Sequence, residues 1–164
     1  MSPRMSFVGC THALLILVVA SPESALAQQV SRTSVVARGT FEVELEPAGE
    51  ADTRDGVSLA RMSLSKRYAG DLEGTAEGEM LTALTPIDGS AVYVAIERVT
   101  GTLHGRSGSF VLHHRGVMDR GAQRLEIAIA PDSGTGDLTG IAGIFTLEIV
   151  EGEHRYELEY SLPS

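Results

Sequence analysis

Apolar and polar residues alternate with a period of two along much of this 164-residue chain. The pattern is strictest in Gly39–Glu46, where Phe41, Val43 and Leu45 share one face and a threonine and three glutamates share the other. Successive side chains of a β-strand point to opposite faces of the sheet, so this pattern indicates a strand with one buried and one solvated face. From residue 38 onward no stretch has helical periodicity, and glycine recurs at almost every boundary. The chain is therefore predicted to be all-β.

Eight segments fit this description, and short turns join most of them. They are Gly39–Glu46, Val57–Tyr68, Leu72–Leu84, Ser90–Leu103, Ser107–Met118, Gln123–Ala130, Asp137–Val150 and His154–Leu162. Sequential antiparallel strands of this kind can close into a barrel, which removes the exposed sheet edges. We predict one eight-stranded antiparallel β-barrel domain over residues 38–164, with a two-sheet β-sandwich as the alternative. A barrel of eight strands is either filled by side chains or holds one small ligand.

The first 27 residues have the layout of a secretory signal peptide. Arg4 supplies a positive charge, Ala13–Ala20 is a short apolar core, and Ala25–Ala27 is a small-x-small cleavage site. The apolar core is far shorter than the roughly 20 residues that span a bilayer. Cleavage after Ala27 predicts an exported protein, periplasmic or extracellular, in which residues 28–37 form a flexible lead-in to the barrel.

Charge and cysteine content exclude several function classes. The only cysteine, Cys10, lies in the predicted signal peptide, so the mature chain has neither disulfides nor thiolate chemistry. The net charge of −9 is unchanged by cleavage, because the signal peptide holds one basic and one acidic residue. A strongly acidic protein does not bind polyanions by counterion release, which excludes nucleic acid and anionic membranes as partners. We expect no cofactor, and homo-oligomerisation is left open.

The hairpin from Glu97 to His114 carries the densest group of ionisable residues. Glu97 shares its strand face with small, apolar or aromatic residues, namely Ala91, Tyr93, Ala95 and Val99. A lone glutamate there is costly to bury unless it is paired. The opposite face is at least as apolar, with Val92, Val94, Ile96 and Arg98, so either face can be the interior one.

His114 lies on the apolar face of the next strand, together with Phe110 and Leu112. Histidine titrates near neutral pH and can transfer protons. His113 points to the opposite face, so the two histidines cannot bind one metal ion, and no metal site is predicted. We take Glu97 and His114 as candidate catalytic residues, with a structural ion pair and a hydrogen-bonded core histidine as the alternatives. The candidate ligand-binding residues are Tyr93, Phe110, Leu112, Tyr156 and Tyr160.

Residues 72–84 contain two further features. Gly74 and Gly78 share one face, which indicates a sharp bend or a close approach of backbones. Glu77 and Glu79 share the other face. They are a solvated pair if that face is outside, and an acid–base pair if it is inside.

Five stretches of the chain also resemble the bacterial domain-of-unknown-function 3224 family. They are Gly39–Val43, Gly70–Gly74, Glu97–Phe110, Pro131–Gly140 and His154–Tyr160. The family resembles the allene oxide cyclase type of barrel, which implies eight antiparallel strands around a central cavity. The resemblance implies no particular activity. Members of the family usually resemble short cytoplasmic proteins, and the signal peptide departs from that pattern.

Three functions are compatible with these observations. The leading hypothesis is an exported barrel that binds a small apolar ligand in its cavity. The alternative is a cyclase or isomerase in which Glu97 or His114 stabilises charge or moves a proton. The third is a filled barrel with a structural or interaction role and no catalysis.

Overall fold

The computed structural model describes residues 33–163, so the predicted signal peptide and most of the predicted lead-in lie outside the described residues. Nine strands and one short 3₁₀ turn, Gly136–Leu138, make up the described chain. The strands are β1 (Val35–Pro47), β2 (Asp52–Arg54), β3 (Val57–Gly70), β4 (Leu72–Leu84), β5 (Ala91–Leu103), β6 (Arg106–Asp119), β7 (Ala122–Ile129), β8 (Ala142–Val150) and β9 (Glu153–Ser161). Within this region no helix is long and apolar enough to span a bilayer.

Eight of the strands close into an antiparallel barrel. Each strand from β3 to β9 pairs with the next along the chain, and β1 lies between β9 and β3. The first half of β1 pairs with β9, from Val35 opposite Tyr160, and its second half pairs with β3, as far as Pro47 opposite Met62. The predicted eight-stranded barrel is confirmed, and the β-sandwich alternative is wrong.

The structure corrects three predicted boundaries. β1 begins at Val35, within the predicted lead-in, because Ala37 is completely buried opposite Leu158 of β9. The predicted loop before Val57 contains β2, a short exposed strand that pairs with β3 outside the barrel. β8 begins only at Ala142, because the preceding residues form the 3₁₀ turn.

One end of the barrel is closed by packed side chains. Leu72 and Leu103 lie there beside the turns of the β3–β4 and β5–β6 hairpins, and the segment before β8 adds Leu138 and Ile141. All four are at most 1% exposed. Burial of such side chains from water is the main stabilising contribution to this domain, since the described residues contain no cysteine.

The barrel wall is unevenly paired. β5 and β6 match along 13 residues, from Ala91 opposite Met118 to Leu103 opposite Arg106. Between β7 and β8 the only ladder pair among the described residues is Ala128 opposite Ile144. The β8–β9 hairpin is therefore held in the wall mainly through the pairing of β9 with β1.

Candidate functional site

The face of β5 that carries Glu97 is the interior one. Ala95, Glu97 and Val99 are buried, whereas Val94 and Ile96 on the opposite face are 48% and 64% exposed. The less apolar face of the strand therefore points inward. Its glutamate finds its partners on the neighbouring interior faces of β3 and β6.

Gly78 of β4 stands directly opposite Glu97. A Cβ atom at Gly78 would overlap the carbonyl oxygen of Ile96 and lie 2.6 Å from the Cα atom of Glu97. Only glycine allows β4 and β5 to approach so closely here. The close backbone approach predicted for this strand is present, and it lies beside the candidate residue.

Four buried side chains meet inside the barrel, and we call them the Glu97 cluster: Glu97, Lys66, Tyr68 and His114. The ammonium group of Lys66 donates to Oε1 of Glu97 at 2.8 Å, and Nε2 of His114 lies 2.9 Å from the same oxygen. The Tyr68 hydroxyl donates to it at 3.3 Å. β3, β5 and β6 thus converge on one carboxylate oxygen.

Burial and charge act in opposite directions on the cluster. Burial alone would raise the pKa of Glu97, but the hydrogen bond from His114 and the charge of Lys66 outweigh it and lower this pKa below its usual 4.5. Burial lowers the pKa of Lys66 below its usual 10.5, against the opposing effect of Glu97. Burial and the Glu97 charge raise the pKa of the Tyr68 hydroxyl. Glu97 is therefore an anion at neutral pH.

The second carboxylate oxygen of Glu97 has a different environment. Oε2 is buried and accepts no hydrogen bond from the described residues. A buried carboxylate oxygen without a donor is unusual and costly. The cluster therefore keeps one strong acceptor unused by the barrel itself.

Beside the cluster, a cavity of about 250 Å³ opens at the end of the barrel where β1 ends and β9 begins. Its wall is mostly apolar and comes from all eight barrel strands: Phe41, Val43, Leu45, Leu64, Met80, Tyr93, Ile127, Leu147 and His154, with Lys66 and His114 of the cluster. The Lys66 nitrogen lies 4.8 Å from the ring centre of Phe41, within cation–π range. A small molecule in this cavity would contact the amine and the imidazole.

Comparison with known proteins places the chain in a family. The sequence pattern of DUF3224, described as a protein of unknown function, matches residues 37–160. The chain belongs to the DUF3224 family. It is similar to the crystal structure of a DUF3224 protein of unknown function from Shewanella oneidensis MR-1, with 46% identity and a TM-score of 0.74, over 81% of this chain and 99% of that one. No match was found among curated proteins.

This DUF3224 barrel is consistent with the allene oxide cyclase-like architecture. The barrel brings the two candidate catalytic residues together, with Nε2 of His114 hydrogen-bonded to Glu97. Only His114 lines the cavity, whereas the Glu97 side chain has no exposed surface. Glu97 can therefore act on a bound molecule only through Lys66 or His114.

The candidate ligand-binding residues separate into two groups. Tyr93 lines the cavity, but Phe110, Leu112, Tyr156 and Tyr160 lie in the packed core and outside the cavity wall. The Tyr156 hydroxyl accepts from the backbone N–H of Leu72 at 2.9 Å, and the Tyr160 hydroxyl lies 2.9 Å from Nδ1 of His104. These tyrosine hydroxyls connect the barrel to its hairpin turns.

Lys66 and Tyr68 are the cluster residues that the sequence analysis did not single out. The chain has 13 basic residues, and Lys66 is its only lysine. All arginines that the structure describes are exposed, whereas Lys66 is 8% exposed. Its position on the apolar face of β3, between Leu64 and Tyr68, was the signal that could have found it.

The other polar groups singled out by sequence do not form a second site. Glu77 and Glu79 are exposed on the outer face of β4, which makes them a solvated pair. His113 is likewise exposed on the outer face of β6. Among residues 33–163, no three histidine, cysteine, aspartate or glutamate side chains group as metal ligands would.

Proposed function

We propose that this DUF3224 protein is an exported barrel that binds one small, largely apolar molecule in its cavity, in contact with Lys66 and His114. The observation that carries the proposal is the buried Glu97 cluster at the edge of an apolar cavity. Ligand pockets combine apolar walls with a few polar groups that fix orientation. The cavity wall has this composition.

A purely structural role explains the cluster less well. Removing a lysine and a glutamate from water costs several kcal/mol for each ion, and apolar residues of similar volume often stabilise a core as well or better. The orphan Oε2 of Glu97 adds to that cost. The presence of buried charged side chains beside a cavity therefore favours their interaction with a bound molecule.

The volume of the cavity limits the ligand. At about 30 Å³ per molecule of liquid water, 250 Å³ corresponds to about eight waters. A ligand that fills this space has about as many non-hydrogen atoms, while a longer one would extend further into solvent past Leu45 and His154. Short-chain or single-ring compounds with one polar group fit this size.

The direct test is native mass spectrometry of protein purified from its own host, followed by denaturation and identification of the released small molecule. The proposal expects a stoichiometric apolar compound, or specific uptake of an added one such as heptan-1-ol. A protein that carries nothing and takes up no apolar alcohol would contradict it. Ligand-observed NMR with heptan-1-ol gives the second readout.

The second candidate function is a cyclase or isomerase. One observation favours it, namely that His114 both lines the cavity and bonds to a buried carboxylate. This arrangement suits proton transfer by the imidazole, which the hydrogen bond to Glu97 holds in one orientation. For an enzyme, His114→Gln would abolish turnover of the released compound, while a binder would retain most of its affinity.

A further inference from the structure

We propose that Lys66 forms a protonated imine with the carbonyl carbon of a small apolar aldehyde or ketone in the cavity. The inference rests on the proposed function, because it requires the cavity to admit a ligand. It names the class of ligand and the atom that captures it.

The first argument is the choice of residue. Arginine suits buried ion pairs, since its planar group is more weakly hydrated and makes two parallel bonds to a carboxylate. The arginines that the structure describes are all exposed, whereas the only lysine of the chain lies inside the barrel. A lysine offers what an arginine cannot, namely an amine that becomes neutral and nucleophilic when desolvated.

The second argument is geometric. The Lys66 side chain is only 6% exposed, yet it contributes to the cavity wall together with Tyr93 and His114. A carbonyl compound in the cavity would meet the amine in a mostly apolar setting. Burial also favours the neutral amine by lowering the pKa of Lys66.

The third argument is charge balance during the reaction. The Lys66 ammonium group first gives up one proton, the neutral nitrogen then attacks the carbonyl carbon to form a C–N bond, and the C–O bond breaks. Two of the three ammonium protons leave with the carbonyl oxygen as water, carried by Glu97 and His114, and the third stays on nitrogen. No oxidant or reductant is needed.

The product keeps the cluster intact. The protonated imine has the same single positive charge as the ammonium group it replaces, so Glu97 serves as its counterion. The distance of 2.8 Å between the Lys66 nitrogen and Oε1 of Glu97 is already that of a charge-assisted hydrogen bond. A buried counterion stabilises an imine against hydrolysis, as the apolar wall does by excluding water.

The test uses the intact protein, heptanal and sodium cyanoborohydride at neutral pH. Reduction traps the imine as a secondary amine, and the protein gains the mass of heptanal less one oxygen atom. Because the chain has one lysine, the only other primary amine is the N-terminal one, and peptide mapping distinguishes the two.

Arg124→Lys provides the matched control. Arg124 is exposed on β7 and is not part of the cavity wall, so the substitution adds a solvated amine to the same molecule. We expect trapping at Lys66 to be faster than at the added amine by on the order of tenfold or more, because the reactants are held together. Equal or faster trapping at the added amine would overturn the proposal.

Heptan-1-ol separates this inference from the proposed function. It has the same chain length as heptanal but no carbonyl group. If ligand-observed NMR shows that the alcohol binds while heptanal leaves Lys66 unmodified, the imine proposal fails and cavity binding stands. If neither compound interacts with the protein, both proposals fail.

Discussion

The amine of Lys66 and the carboxylate of Glu97 form a 2.8 Å ion pair inside the barrel, with side chains that are 6% and 0% exposed. The two residues are 31 positions apart in the chain and lie on strands that are not neighbours, because β4 runs between β3 and β5. The ion pair spans β4 on the interior side, where Ala76 and Gly78 leave room for it.

The first prediction concerns the strength of this pair. Lys66→Met or Glu97→Leu alone leaves an uncompensated buried charge, and each should lower the free energy of unfolding by about 3–5 kcal/mol. The double variant should lose much less free energy of unfolding than the sum of the losses in the two single variants. A double-mutant cycle followed by urea unfolding measures the coupling.

The exposed pair Arg38–Glu157 is the control for this cycle. It has the same 2.8 Å separation, but its side chains are 65% and 48% exposed. Its coupling free energy should be no more than about 1 kcal/mol. Equal coupling in the two pairs would contradict the account of a desolvated cluster.

The second prediction concerns acid stability. The folded-state pKa of Glu97 lies below its usual 4.5, so the unfolded chain binds more protons in this range. The contribution of Glu97 to stability is therefore complete above about pH 4.5 and is lost as the pH falls through the folded-state pKa. The Glu97→Gln variant should be less stable than the unsubstituted protein at neutral pH. On acidification it should lose less stability than the unsubstituted protein does.

Asp71 offers a comparison for the same experiment. The backbone N–H of Arg38 lowers the pKa of Asp71, although this carboxylate is exposed. Salt screens exposed charges more than buried ones. In urea titrations between pH 7 and pH 3, the effect of Asp71→Asn should shrink in high salt while that of Glu97→Gln persists. Equal salt sensitivity would argue against burial of Glu97.

The third prediction concerns the close approach of β4 to β5. Gly78→Ala places a methyl group against the backbone of Ile96 and Glu97, so the strands must separate or shift. We expect a loss of about 1–3 kcal/mol, as for an overpacked core site. Weaker trapping of an aldehyde at Lys66 should accompany it.

Gly105→Ala isolates backbone strain from steric overlap. Gly105 has a φ of +80°, but no atom lies within 4 Å of a Cβ placed there. The cost should be about 1 kcal/mol, with the cluster unchanged. If the two alanine variants lose the same stability in thermal unfolding, the tight spacing at Gly78 is not the cause of the loss in Gly78→Ala.

The fourth prediction concerns the cavity. Val43 is half-buried in its wall, so Val43→Phe should fill the space and abolish the uptake of heptan-1-ol in ligand-observed NMR. Val94→Phe adds the same ring to the outer face of β5, where Val94 is 48% exposed, and should leave uptake unchanged. Loss of binding in both variants would indicate a binding site outside the barrel.

The sequence predicts this fold well where one strand face is clearly apolar. Phe41 in β1 and Leu158 in β9 sit in strict alternation, and both point inward. β2 was missed because its three exposed residues have no apolar partner face. The predicted start of the eighth strand at Asp137 was too early. Leu138 and Ile141 instead cover the end of the barrel, a contact that alternation within one strand does not reveal.

The site was harder to predict than the fold. Both faces of β5 are apolar enough to be interior, and the choice depends on Lys66 and His114, which β3 and β6 bring to Glu97. Such pairing between strands is set by register, which a single strand does not encode. For a related reason the sequence does not separate Tyr93, which lines the cavity, from Tyr156 and Tyr160, which lie in the packed core, since the wall of the cavity depends on which end of the barrel is closed.

The weakly paired junction of β7 and β8 has a consequence for the native-state motions of the barrel. Regions with few backbone hydrogen bonds open locally at lower free energy than the rest of a domain. The β8–β9 hairpin contributes Leu147 and His154 to the cavity wall and is joined to β7 by a single ladder pair. Its amide hydrogens should exchange with solvent earlier than those of β5 and β6, and each local opening of the hairpin would expose the part of the cavity wall that it contributes.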